Sequence, residues 1–155
     1  MSRLAVTQAP GRVVLVGRLD DTASLTTIAV PPGDVAIDTG GVTFVNSVGM
    51  REWIRFVRAL AARGNVTLDN VADVLMTQMN MIEALHDLAT VRSFHAQYAC
   101  GACGAESAPL VDAVAHAAEL AQLRAPSSPC PECGAAMQLA DYPERYLMMF
   151  RAKAT

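Results

Sequence analysis

Aromatic side chains make up only 5% of these 155 residues, with a single tryptophan, so the chain cannot build its interior on large rings. The core has to come from Ala, Val, Leu, Ile and eight methionines, and a hydrophobic fraction of 52% excludes a disordered segment. Charge is also sparse, at 17%, and positive charge is in deficit: 12 Lys and Arg stand against 15 Asp and Glu, for a formal net charge of -3. A protein that tracks phosphate backbones normally carries a basic footprint, so nucleic acid is not an expected partner. Long apolar runs are missing too. None approaches the length that spans a bilayer, and the opening "MSRLAVTQAPGRVV" has no apolar segment behind a basic flank. Membrane insertion is therefore not expected, and the chain reads as cytoplasmic. Nor is there a nucleophile–base–orienter set or a glycine-rich phosphate loop, so enzymatic activity is not expected. The length suits one ordinary domain, or a small domain with an appendage.

What is present alternates between two periods. Residues 3 to 8 and 12 to 19 ("RVVLVGRL") read as paired strands around the turn dipeptide Pro10-Gly11. Asp20 or Asp21 is placed to cap a short helix in "DDTASLTTIAV", and Pro31-Pro32-Gly33 forces a turn. A strand is predicted from Val35 to Asp38, a break at Gly40-Gly41, and a return to extended geometry at Val42, Phe44 and Val45. From Met50 the period becomes helical. Met50, Trp53, Ile54, Val57, Leu60 and Ala61 form one apolar stripe, with Arg51, Glu52, Arg55 and Arg58 on the other face. Gly64-Asn65 ends that helix, "VTLDNV" reads as a strand, and a helix interrupted near Asn80 is predicted between Ala72 and Leu88. Alternating strands and helices imply an α/β layer structure. Trp53 belongs to the core stripe, and Met76, Met79 and Met81 fill a core short of aromatics or line an adaptable groove.

All four cysteines lie in two copies of one pattern, "CGACG" (Cys100, Cys103) and "CPECG" (Cys130, Cys133). Two Cys-x-x-Cys knuckles offer four thiolates to one tetrahedral zinc ion, and the glycine after the second cysteine lets backbone amides turn toward sulfur. Paired disulfides, a redox-active Cys-x-x-Cys and unligated thiols all suit a cytosolic chain less well than a metal. With every ligand supplied by protein, no position remains for water or substrate, so the expected Zn²⁺ is structural. His86, His95 and His116 are read as ordinary polar residues. Residues 97–155, which hold both knuckles, form a predicted separate small module after a first domain of residues 1–96.

The stretches "GRLDDTASL" (17 to 25) and "VAIDTGGVTFVNSVG" (35 to 49), with the helix that follows, resemble the STAS domain of bacterial anti-anti-sigma factors. In that family Gly-Arg-Leu-Asp precedes a Thr/Ala-rich helix start, and Asp-Ser-Ser/Thr-Gly opens a helix after a strand. The resemblance covers roughly residues 1 to 96; the remainder is similar to the zinc-ribbon extension seen on some members. It implies a mixed sheet flanked by helices, and docking on a kinase-like anti-sigma factor that phosphorylates a hydroxyl at the helix start. The phosphoacceptor position falls on Ser47, and the partner-binding edge on Asn46, Ser47, Val48, Gly49 and Met50. Two positions depart from the pattern: the family's Asp is Asn46, and its second hydroxyl residue is Val48.

Ser47 at a helix N-terminus has a second role available, as a cap that accepts an orphan backbone N–H. Adding a phosphate there introduces about -1.5 to -2 charges at a docking surface. The leading expectation is a regulatory module for signalling and transcription control through protein–protein interaction. An alternative job for the same fold is a constitutive STAS subunit of an ABC-type ATPase in lipid transport. A third reading, a nucleic-acid-binding zinc ribbon, is disfavoured because residues 97–155 carry four basic residues against six acidic ones.

Overall fold

A computed structural model describes residues 3–25 and 28–151. It opens on the expected hairpin. Strands β1 (Ala5–Ala9) and β2 (Arg12–Leu19) pair antiparallel around a turn in which Gly11 takes a positive φ of 69°. Along β2 the side chains alternate, and Val13, Leu15 and Leu19 are buried. Beyond Asp20 the described residues make a turn at 21–22 and take 3₁₀ geometry at Leu25. The short helix expected here falls in part on residues 26–27, which lie outside the described residues.

Strand β3 (Val35–Val45) runs unbroken for 11 residues, which corrects the break expected at Gly40-Gly41. The glycines serve packing across the sheet. A Cβ on Gly41 would stand 2.7 Å from a methyl of Val16, so the glycine lets the neighbouring strand lie close. The pairing with β2 absorbs the irregularity as shifts in register between Val14 and Val16 and between Gly17 and Arg18.

Helix α1 (Ser47–Ala61) follows β3, then β4 (Val66–Asp69), α2 (Asp73–Asn80), a short 3₁₀ turn at Glu83–Leu85, and β5 (Thr90–Val91). The five strands form one mixed sheet in the order β1-β2-β3-β4-β5, parallel from β2 onward. Trp53, Val57 and Leu60 on α1 and Leu75, Met76 and Met79 on α2 share one buried core with the sheet. Phe56 joins them, while Ile54 and Ala61 are only half-buried. Met81 is 71% exposed, so the three methionines of that cluster divide between core and surface.

Asp38 and Asp69 are direct neighbours on β3 and β4, a repulsive pair relieved by arginines from flanking segments. Arg12 reaches Asp38 at 3.0 Å and Asp69 at 3.2 Å; Arg92 holds Asp69 at 2.6 Å. These contacts tie β2, β3, β4 and the end of β5 together, and they hold the Asp69 carboxyl below its usual range, chiefly through the Arg92 hydrogen bond.

Residues 90–99 are divided among β5, β6 (Ser93–His95) and β7 (Tyr98–Ala99). β6 pairs with β9 (Leu110–Asp112), and β7 joins a second small sheet of order β10-β11-β7-β8, from β8 (Glu106–Ser107), β10 (Ser128–Pro129) and β11 (Ala136–Leu139). Between these strands lies the short α3 (Ala117–Ala121), and after them α4 (Pro143–Leu147) and a 3₁₀ turn at Met148–Phe150. The chain then returns to the first sheet's helices. The buried Asn80 at the end of α2 donates to the Glu144 carbonyl and accepts from the Met149 amide at 3.0 Å, and the Phe94 and Phe150 rings pack at 5.2 Å. One continuous core therefore runs across the boundary placed at residues 96 and 97 by the sequence.

Candidate docking junction and metal centre

Gly17–Asp20 and Asn46–Gly49, the two ends of the resemblance, are packed against one another. Asn46 leaves β3 with its N–H donating to the Leu19 carbonyl at 3.1 Å, and its own carbonyl accepts the Met50 N–H at 2.9 Å. Its side-chain Oδ1 accepts from the Gly49 N–H at 2.9 Å. Asn46 is thus the cap of α1, in extended backbone geometry, and Ser47 is the first helical residue; the capping role expected of Ser47 belongs to its neighbour. Asparagine and aspartate cap about equally well, so an amide at position 46 serves the helix start as a carboxylate would.

Gly49 explains why the helix can begin here at all. A Cβ at that position would lie 1.8 Å from the Leu19 carbonyl oxygen, so only glycine lets α1 press its first turn on the end of β2. That same end of β2 carries Asp20, which accepts from the Thr22 hydroxyl and amide, at 2.5 and 2.9 Å, and from Arg18 at 3.0 Å. These contacts, the Thr22 hydroxyl first, pull the Asp20 carboxyl down to about 2. Arg18 in turn lies over the Phe44 ring, 3.8 Å from its centre.

Of the five residues assigned to the partner edge, Ser47 and Val48 are exposed, Asn46 is half-buried, and Gly49 and Met50 are buried. Val48 at 41% exposure is an apolar side chain beside an exposed hydroxyl. The reachable part of the edge is therefore 46–48. Gly49 and Met50 shape it from beneath, with Met50 taken up in the core.

The cysteines converge from two turns built alike. In the first, Cys100 N–H donates to the Ala105 carbonyl at 2.8 Å and Gly104 N–H to the Cys100 carbonyl at 2.9 Å; in the second, the pairs Cys130–Ala135 and Gly134–Cys130 repeat this at 2.7 and 2.9 Å. Gly104 and Gly134 take positive φ values of 78° and 80°, which the repeated glycines supply without strain. The four sulfurs lie within 4.8 Å of one another, with Cys100–Cys133 and Cys103–Cys130 each 3.6 Å apart. All four are free thiols, two buried and two exposed, and no histidine shares the cluster among the described residues.

A tetrahedral ion with metal–sulfur bonds of about 2.3 Å needs sulfurs about 3.8 Å apart, close to the spacing seen. The electrostatics point the same way. The Cys103 and Ala102 amides bring the Cys100 thiol down to about 6. The Ala105 amide pulls Cys103 down, but the sulfurs of Cys130 and Cys133 outweigh it and push that thiol up to about 12. One thiolate is welcome and further ones repel it, a conflict that a divalent cation resolves. The donor set fits a metal ion.

The charged network of Arg12, Asp38, Asp69 and Arg92 escaped the sequence reading, because its members are single residues on separate strands. His95 Nδ1 donates to the Ala108 carbonyl at 2.8 Å, and His86 Nε2 to the Asn80 carbonyl at 3.1 Å. Among the described residues no helix is long and apolar enough to cross a membrane. In comparison with known proteins, the chain matches no family model and no curated protein sequence.

Proposed function

We propose that this chain is a non-enzymatic regulator of the STAS type that docks a protein partner through the exposed strand-to-helix edge at 46–48. The observation that carries the reading is the contact between the Gly17–Asp20 stretch and the 46–50 stretch, in which the Asn46 amide and Gly49 both bear on Leu19. The two stretches that resemble the family are one physical unit, which holds a serine outward on a rigid helix start. Rigid presentation lowers the ordering cost of docking. The mixed sheet with helices on the described α1 and α2 is consistent with the same reading.

In this account a kinase-like anti-sigma factor is the partner. Transfer of the γ-phosphoryl group of its bound nucleoside triphosphate to the Ser47 hydroxyl forms the P–O bond, releases the diphosphate, and passes the hydroxyl proton to a base on the kinase. The added charge then disfavours the complex. The four-cysteine centre holds structural Zn²⁺, the ion that suits four thiolates in a closed tetrahedral set.

A second reading has its own support. Val48 puts a large apolar side chain, 41% exposed, where the family has a hydroxyl, and exposed apolar area beside a rigid edge suits a permanent contact. That reading makes the chain a constitutive subunit of an ABC-type ATPase. Affinity recovery from native lysate with wild type and Ser47→Glu, followed by intact-mass measurement, separates the two. A kinase-like partner lost on Ser47→Glu, with an added phosphate on wild type, supports the switch. An ATPase subunit retained by both, with no phosphate, supports the constitutive role.

A further inference from the structure

Resting on the docking edge just proposed, a second feature of α1 names the chemistry of what docks. Ser47, Arg51, Arg55 and Arg58 follow one another at i, i+4, i+8 and i+11, so they share an arc of about 80° on a helix that advances about 100° per residue. All four are exposed. The stripe runs about 16 Å along the axis, with Val48 at its border near the helix start.

Three observations set this face apart from an ordinary solvated one. Solvated helix faces usually interleave both signs of charge, yet α1 holds three arginines and one glutamate, while the rest of the chain holds nine basic and fourteen acidic residues. Four of the eight arginines elsewhere, Arg12, Arg18, Arg92 and Arg145, each meet an aspartate within 3.2 Å. Among the described residues Arg51 and Arg58 form no ion pair, and Arg55 meets only Glu52 at 3.6 Å. Finally, α1 has no acidic residue in its first turn, where an acid would offset the positive end of the helix dipole. The field of the helix start and the field of the arginines therefore add.

We propose that this face of α1 is the docking surface for an acidic helical segment of a partner protein, whose carboxylates lie along Arg51, Arg55 and Arg58 and whose apolar residue covers Val48. A helix is the fitting occupant because its i, i+4 and i, i+8 positions repeat the spacing of the stripe. The opposite sign of the remaining surface repels the same segment and confines it to this face.

The test uses the isotopically labelled full chain and backbone amide shifts. The probe is a synthetic helical peptide with glutamates at i, i+4, i+8 and i+11 and a leucine at i+1; the controls are its all-lysine counterpart, a DNA duplex and vesicles of anionic phospholipid. The account expects shifts confined to residues 47–58, an affinity about tenfold weaker at high salt, and a preference for the lysine peptide in the Arg51→Glu, Arg58→Glu double variant. Arg51→Ala, which leaves the helix charge otherwise unchanged, weakens glutamate-peptide binding without altering the melting temperature. No shifts on α1, shifts spread over other surfaces, or a binding constant unmoved by charge reversal would overturn the proposal. So would tighter binding of the duplex or the vesicles, which would assign the face to nucleic acid or to a membrane. The outcome is separable from that of the Ser47 experiment: peptide binding on α1 with no effect of Ser47→Glu on partner recovery keeps the stripe and rejects the switch, and the reverse pattern does the opposite.

Discussion

Asn46 and Ser47 stand side by side at the start of α1, but only Asn46 satisfies an orphan amide of the first turn. Asn46→Ala should therefore cost about 1 kcal/mol of folding free energy, and Ser47→Ala about 0.5 kcal/mol or less, measured by urea unfolding. The reverse order would return the cap to Ser47. The distinction matters for function because a serine released from capping has its hydroxyl available for chemistry. Position 20 carries a pH dependence of definite sign. In the fold the Asp20 carboxyl lies at about 2, against 3.8 in its ordinary state. The folded state thus favours the carboxylate, so this stabilisation is present above about pH 4 and is lost as pH falls through about 2. Melting temperatures followed down this range should drop less steeply for Asp20→Asn than for wild type. Parallel acid limbs in the two proteins would show that Thr22 and Arg18 do not hold the carboxylate in solution.

Elements differed in how plainly the sequence announced them. Helix α1 was legible because six apolar residues repeat at helical spacing, and the β1–β2 hairpin because Pro10-Gly11 separates two alternating runs. Strand β3 was read as broken because paired glycines usually punctuate a chain, and nothing local reveals that Gly41 has the side chain of Val16 above it. The division of residues 90–99 among three strands was equally hidden, since each short piece is defined by a different remote partner. Asn80 shows the same limit for side chains. Its role comes from residues 64 and 69 positions away, and the sequence signalled only a helix interruption. Replacing it by Ala removes both hydrogen bonds and leaves the half-buried Met149 amide without its partner, at a cost of about 1–3 kcal/mol. Hydrogen exchange should show the loss concentrated at α4 and the end of α2. A uniform loss over the whole chain, or none, would contradict a local clamp.

At the scale of the whole molecule the four-cysteine module and the first sheet are joined through that clamp and through the Phe94–Phe150 contact. Strong chelation should therefore remove amide protection first from β7, β8, β10 and β11, next from α4 and the end of α2, and last from β2 and β3. Protection unchanged across β7 to β11 after metal removal would mean that the small sheet stands without its ion. The cysteine set was legible because its chemistry is written in spacing, whereas the way its module is attached was not, because attachment depends on burial and on contacts distant in sequence. The central claim, that a protein partner meets the edge at 46–48, is most directly tested by placing a photo-crosslinking amino acid at position 48 and, as a control, at exposed position 106. The account predicts one discrete adduct from position 48 only, with a protein of kinase-like or transport-ATPase type identified by mass spectrometry. Identical adducts from both positions, or none from position 48, would contradict it.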